Sequence, residues 1–305
     1  MMFLTWGCTI VVAGSRGTSE QNVMNGWESR VQNIYLAKVL PVYGTSALLP
    51  FVEQEAQALF CRELGHPVLH VWAHERCLLL GARDASLPEA SRAILEATER
   101  GLHVAVRPFG GLAIPLDSGV ANVTLMLPGA WSLDDAFATL CDWLSRACAP
   151  YGPISAGEVP GAYCPGRYDL SIAGVKFAGV AQRRIAAATA VSAFVNVIEN
   201  GLDREGVIDD FYRTAAGISP APSFVPVLTR GAVGNLVARS NTGEVERATT
   251  DVVAAHMGQF YERLIAVAQE IHAAMRELPD VPERLYAEAS DRLYRRLQLK
   301  EWTVS

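Results

Sequence analysis

The sequence predicts an α/β (α+β) fold, and three observations predict it. Between residues 48 and 197 the apolar period switches from 3.6 to 2 and back, so helices and strands alternate. Residues 168–184 read as two alternating runs joined at Ala173-Gly174, a hairpin whose glycine suits a tight turn. Beyond residue 249 the spacing is helical, so residues 200–305 are expected to form a helical portion of the same domain.

Half of the 305 residues are hydrophobic and 19% are charged, which gives ample length and composition for a buried core. The formal net charge of −6 argues against nucleic acid as a partner, because that affinity rests on a basic face that neutralises phosphates.

Taken in order, Phe3 to Ala13 is apolar and residues 14–21 are small and polar. The first basic residue, Arg16, follows the apolar run, unlike a secretory leader, and the run is too short to cross a bilayer. Residues 1–47 are therefore expected to be a partly disordered N-terminal extension, with translation starting at Met24, and residues 48–305 the catalytic domain.

Phe51, Ala56, Leu59 and Leu64 repeat at helical spacing and stop at Gly65. Residues 68–81 read as two strands around a polar turn, and Asp84 or Ser86 can cap a helix running through Glu99. A strand over 102–107 returns into the glycine loop Arg107-Pro108-Phe109-Gly110-Gly111-Leu112-Ala113. Residues 112–116 and 122–127 look like paired strands separated by Asp117-Ser118-Gly119. Ser132 with Asp134 and Asp135 marks a helix start reaching about Cys148, and Ala187 to Val197 is a further strand. Helices follow over 249–276 and 282–299, whereas 201–226 is mixed and rich in proline and glycine.

Six cysteines, Cys8, Cys61, Cys77, Cys141, Cys148 and Cys164, show no C-x-x-C pair and no histidine spacing suited to zinc, so no metal is expected. His70 and His74 read as ordinary sheet residues rather than as a metal pair. Reduced thiols fit a cytoplasmic protein.

The hairpin carries the chemistry. Strand alternation sets Lys176, Ala178, Val180 and Gln182 on one face and Phe177, Gly179, Ala181 and Arg183 on the other. One face thus aims a cation at a ligand lying among small side chains. Cys164, followed by Pro165-Gly166, sits in an irregular loop leading into the first strand.

Gly166-Arg167-Tyr168-Asp169-Leu170 followed by Gly174-x-Lys176-x-Ala178-Gly179-x-Ala181-Gln182-Arg183-Arg184, with the upstream glycine loop, resembles the signature of the biotin/lipoate protein ligase and octanoyltransferase superfamily. The resemblance spans roughly residues 68 to 200 and implies a mixed sheet with flanking helices. It implies a lysine, Lys176, set against the carbonyl end of the ligand, and a pocket formed with Arg107, Gly110, Gly111, Ala178 and Gly179. Tyr-Cys-Pro-Gly-x-Tyr-Asp-Leu-Ser-Ile around Cys164 is similar to the cysteine-dependent branch, which moves an octanoyl group from glycine cleavage H protein to the lipoyl domains of 2-oxoacid dehydrogenase E2 subunits through an acyl-cysteine. The ligase pattern Arg-Arg-x-Ser-Gly-Gly-Gly lacks its serine and third glycine here, which favours the ATP-free branch and implies no cofactor. Transfer from acyl carrier protein and ATP-dependent ligation remain open on the same residues.

Only a thiolate attacks an acyl carbonyl, and an unperturbed cysteine, with pKa about 8.5, is a few per cent thiolate at pH 7. Lys176 is the expected source of the charge that sharpens Cys164, and the Gly110-Gly111 backbone is expected to approach the carbonyl oxygen. Arg167, Arg183 and Arg184 are placed either against an acidic carrier domain or in structural pairs, and no membrane partner is expected. Mass spectrometry of the native N-terminus is expected to find a chain that starts at Met24; a mass that includes residues 1–23 refutes this.

Overall fold

The computed structural model describes residues 26–37, 42–44, 46–217, 221–237 and 248–297; the expectations for residues 1–23 and for a start at Met24 lie outside them. In chain order the elements are β1 (Asn33–Leu36), β2 (Val42–Tyr43), α1 (Leu49–Leu64), β3 (Val68–His74), β4 (Arg76–Leu80), α2 (Ala90–Glu99), β5 (His103–Val106), β6 (Ile114–Asp117) and β7 (Val120–Pro128). They continue with α3 (Leu133–Cys148), β8 (Ile154–Ala156), β9 (Leu170–Ile172), β10 (Val175–Ile185), β11 (Ala188–Asn196), α4 (Arg204–Ala215), α5 (Thr250–Glu270), β12 (Ala274–Glu277) and α6 (Glu283–Leu297).

Two sheets result. The large one runs β12-β1-β3-β7-β11-β10-β9-β8 with β2 added to β3, and the small one runs β5-β4-β6. Pairings of β1 with β12 and β3, and of β4 with β5, are parallel, while β3 to β8 across the large sheet pair antiparallel. The fold is thus the expected α/β type with a mixed sheet and flanking helices.

The central strands β7 and β11 are buried on nearly every residue, as strands covered on both faces are. Alternation sends Val123, Leu125 and Leu127 toward a core shared with Leu140 and Leu144 of α3 and with Phe260 and Leu264 of α5. The opposite face carries Trp72, Met126, Ala190 and Phe194 beneath Phe51, Ala58 and Cys61 of α1. Two helix ends show a local cause: Gly65 closes α1 in the left-handed region at φ 70°, and the Ser132 hydroxyl accepts the Asp135 N–H to open α3.

Three sequence expectations change. First, β6 and β7 do not pair; β6 lies on β4 and β7 between β3 and β11. The cause is Asp117, whose carboxylate accepts the Gly119 N–H at 2.8 Å and two bonds from Arg204 at 2.7 and 2.8 Å. That turns the chain from one sheet into the other, and a side chain on Gly119 would strike the Ile198 carbonyl. Second, the segment before residue 48 is not wholly outside the domain: β1 pairs with β3, and β12, near the other end, pairs with β1. Third, the mixed stretch after residue 200 holds α4, capped by Asp203, whose carboxylate accepts the Gly206 N–H.

The C-terminal helix is tied to α1 by charge. Glu55, with no exposed surface, binds Arg183 of β10 at 2.6 Å and Arg292 of α6 at 2.8 Å. Removing one partner of a buried ion pair leaves the other charges uncompensated. Glu55→Gln is therefore expected to lower the unfolding free energy by about 3 kcal/mol in chemical denaturation; a loss below about 1 kcal/mol would show that the cluster is dispensable.

Candidate functional site

The hairpin turn forms as expected: Ala173 and Gly174 both lie in the left-handed region, at φ 51° and 78°, the pair of conformations a type I′ turn needs. The strands it joins hold a surprise. The register of β10 against β9 slips between Lys176 and Ala178, so Phe177 is an extra residue in a β-bulge. The bulge reverses the alternation beyond it. Lys176 now shares its side with Gly179, where an added Cβ would come 3.2 Å from Lys176 Cε and 2.6 Å from the Phe194 ring. Ala178 turns away into the core beside Phe177 and Leu170. The expected partnership of Lys176 with Ala178 is thus replaced by one with Gly179, and Ala178, fully buried, is absent from the cavity wall described below.

Lys176 is fully buried, and its ammonium has three partners for its three N–H bonds. It donates to the carbonyls of Tyr163 at 3.0 Å and Cys164 at 2.7 Å, and it pairs with the Asp169 carboxylate at 2.8 Å. Asp169 also accepts the Gly166 N–H. These contacts hold the Tyr163–Asp169 loop against β10. They also hold Cys164 itself at φ 45°, a left-handed conformation uncommon for a side chain of this kind. Lys176 therefore grips the backbone of the cysteine, whereas the sequence places it against the sulfur.

The groups on the sulfur are different ones. Cys164 Sγ accepts a hydrogen bond from Arg107 Nη2 at 3.3 Å and one from the Leu112 N–H at 3.2 Å. Arg107 also donates to the Leu112 carbonyl at 2.9 Å, so guanidinium, loop and thiol form one unit. Gly111, at φ 97°, is needed there: a Cβ would fall 2.5 Å from Arg107 Nη2 and 2.9 Å from Sγ. A cation and a backbone N–H converge on one thiol, which is how a protein accommodates negative charge on sulfur.

The loop is braced from behind. The Ala113 N–H donates to the Tyr212 hydroxyl at 3.4 Å, which donates to Asp84 at 2.8 Å; Asp84 in turn accepts the Gly81 N–H at 2.7 Å. Burial lifts both the Asp84 carboxyl and the Tyr212 hydroxyl above their ordinary ranges, and for Tyr212 the neighbouring carboxylate adds to the effect. From the other side Arg296 of α6 donates to the Pro108 carbonyl at 3.2 Å.

Above the thiol opens a cavity of 370 Å³. Arg107, Gly110, Gly111, Cys164 and Gly179 line it, so five of the seven sequence-derived site residues meet there. Lys176 lies behind its wall, and Ala178 on the far side of the sheet. Asp169, Phe194 and the Leu112 N–H belong to the site but are not singled out by sequence reasoning. In the sequence Asp169 stands only as part of the motif over residues 166–170, where nothing marks it as the partner of Lys176. Among the three arginines, Arg183 is buried against Glu55, Arg184 is exposed and donates to the Trp131 carbonyl, and Arg167 is exposed over the Tyr168 ring. The other four described cysteines are buried, and burial pushes Cys61, Cys141 and Cys148 up to about 12 and Cys77 further. Among the described residues no cluster of three or more His, Cys, Asp or Glu side chains could hold a metal, and no helix is long and apolar enough to cross a membrane.

The mixed sheet between helices matches solved lipoate-protein ligases in fold. The structure of lipoate-protein ligase A bound with ATP matches the fold with a TM-score of 0.60 over 89% of this chain and 98% of that one, at 17% identity. Residues 50–218 match the lipoyl protein ligase A/B catalytic domain, and the chain belongs to that family. A relative from Geobacillus kaustophilus, octanoyl-[GcvH]:protein N-octanoyltransferase, is 40% identical over 149 residues, 48% of this chain and 53% of that protein. A Macrococcus caseolyticus protein of the same name is 33% identical over 189 residues, 60% of this chain and 69% of that protein. A lipoyl-[GcvH]:protein N-lipoyltransferase from Listeria monocytogenes is 33% identical over 184 residues, 58% of this chain and 66% of that protein. The chain spans about half the length of the Geobacillus relative.

Burial raises Asp169 from 3.8 to about 6, although the Lys176 charge and the hydrogen bonds from Lys176 and Gly166 pull the other way. The folded chain thus takes up this proton at higher pH than the unfolded chain. Its contribution to stability is complete below 3.8 and is lost as pH rises through about 6. Asp169→Asn removes that gain and leaves Lys176 without its counter-charge. The stability difference between wild type and variant, measured by denaturant unfolding at several pH values, is expected to widen from pH 6 to pH 4; a constant difference contradicts this assignment.

Proposed function

We propose that this chain is an octanoyl amidotransferase of protein lipoylation that works through an acyl-cysteine on Cys164. The observation that carries the reading is the Cys164 sulfur at the base of a cavity, held between the Arg107 guanidinium and the Leu112 N–H. The names of the Geobacillus and Macrococcus relatives support it.

In the first step the thiolate attacks the carbonyl carbon of an octanoyl-lysine amide on glycine cleavage H protein. The C–S bond forms, the C–N bond breaks, and the proton given up by the thiol ends on the departing lysine amine. In the second step the neutral lysine amine of an E2 lipoyl domain attacks the thioester, the C–N bond forms, the C–S bond breaks, and the proton lost by the amine returns to the sulfur. One amide is exchanged for another, so the net reaction is near neutral and needs no nucleotide. Arg107 and the Leu112 N–H hold negative charge on sulfur before attack and after release. Lys176 keeps the cysteine backbone in place, with Asp169 balancing its charge. The slot supplies binding: about seven methylene groups at about 0.8 kcal/mol each give roughly 5 kcal/mol when fully buried. A working thiol suits the reducing cytoplasm.

Two other readings use the same residues: transfer from octanoyl-acyl carrier protein, and ATP-dependent ligation of free lipoate. Donor assays with the two carriers separate the first. The second predicts magnesium-ATP dependence that survives loss of Cys164.

Intact-mass spectrometry after mixing with octanoyl-H protein is expected to show one octanoyl adduct, localised to Cys164 and absent from Cys164→Ala. Transfer to a lipoyl domain is expected to fall at least about 1,000-fold in that variant, since a covalent route loses its nucleophile. Arg107→Ala is expected to slow adduct formation at pH 7 by about tenfold, the worth of about 1.4 kcal/mol of charge stabilisation. Undiminished transfer by Cys164→Ala would overturn the reading.

A further inference from the structure

Behind the 370 Å³ cavity lies a second space of only 20 Å³, enclosed by Phe51, Trp72, Leu79, Phe109, Ile114 and Asn122 among others. The residues common to both are Arg107, Gly179, Ala181 and Phe194. Of these only Phe194 has a ring, and that ring occupies the space left by the missing side chain of Gly179.

Its position is fixed from several sides. The Phe194 ring stacks near Tyr163, with centroids 6.0 Å apart, and Lys176 Nζ lies 5.3 Å from its centre. In the sheet Phe194 of β11 pairs with Asn122 of β7, which pairs with Trp72 of β3. The inner space is therefore bounded by one cross-strand row, and its polar atoms are notable. Asn122 Nδ2 and Trp72 Nε1 are buried donors without a hydrogen-bond partner.

We infer that Phe194 is the wall that ends the acyl slot and sets its acyl preference, so that an unsubstituted eight-carbon acyl group is accepted while longer groups, or those carrying a sulfur ring at the far end, are refused. The inference rests on the proposed acyl transfer and goes beyond it to the group transferred. Phe194 touches no reacting atom; it acts on specificity. Reducing it to leucine joins the two spaces while keeping an apolar side chain against Gly179.

The test uses the full chain and its Phe194→Leu and Phe194→Ala variants with H protein carrying octanoyl, decanoyl or lipoyl on its lysine. The rate of Cys164 adduct formation is followed by intact mass. In Phe194→Leu the decanoyl-to-octanoyl and lipoyl-to-octanoyl rate ratios are expected to rise about tenfold, the effect of admitting about two further methylene-sized groups. A gain for the larger group cannot come from partial unfolding, which lowers all rates together. Ratios unchanged within about twofold in both variants would overturn the inference while leaving acyl transfer intact. Should wild type form no adduct with any donor, the proposed reaction fails, and calorimetric titration with octanoate, decanoate and lipoate then decides on Phe194 alone. The same rise in relative affinity for the larger acids supports the wall, and unchanged relative affinities refute it.

Discussion

One ammonium group organises the centre of this protein. Lys176 has lost all contact with solvent, and each of its three N–H bonds ends on an oxygen from the segment that carries the thiol. A buried charge is tolerated only when it is paired and hydrogen-bonded in full, so the geometry of residues 163–169 is dictated by the requirements of that one side chain. The left-handed Cys164 follows, as does the orientation of its sulfur toward the glycine loop. The division of labour is clear: one cation fixes the backbone, and a second, Arg107, addresses the sulfur.

Much of this was legible beforehand. The alternation of periods gave the α/β class, the Ala173-Gly174 turn closed as read, and Cys164, Arg107, Gly110, Gly111 and Gly179 gather around one cavity. What failed did so for identifiable reasons. Strand alternation assumes an unbroken register, and the extra residue Phe177 reverses it, which is why Ala178 is absent from the cavity and Gly179, rather than Ala178, shares the side of Lys176. The pairing assumed for residues 112–127 ignored a buried arginine, Arg204, more than eighty residues away, whose demand for Asp117 bends the chain between sheets. The helix holding Tyr212 was hidden among prolines and glycines, although Val207, Ile208, Phe211, Tyr212 and Ala215 carry helical spacing behind a capping Asp203. The short strands β1 and β12 have little pattern of their own and exist because each completes the other.

The family relationship sharpens what is particular to this chain. Its fold matches a lipoate-protein ligase over 89% of the chain, and the loop that meets the thiol has an arginine guanidinium and a single peptide N–H directed at sulfur. Such an arrangement suits the nucleophile proposed for Cys164. A loop devoted to phosphate would instead present several backbone N–H groups to one anion.

The reach of α6 to the Pro108 carbonyl carries a consequence for how the protein comes into being. Partners 188 positions apart must both exist before the loop is braced on that side. During synthesis the ribosome releases the cysteine segment long before Arg296 is made, so the nascent chain carries its thiol without that brace. The loop at Pro108 thereby gains this brace only after residue 296 has been synthesised and α6 has packed against it.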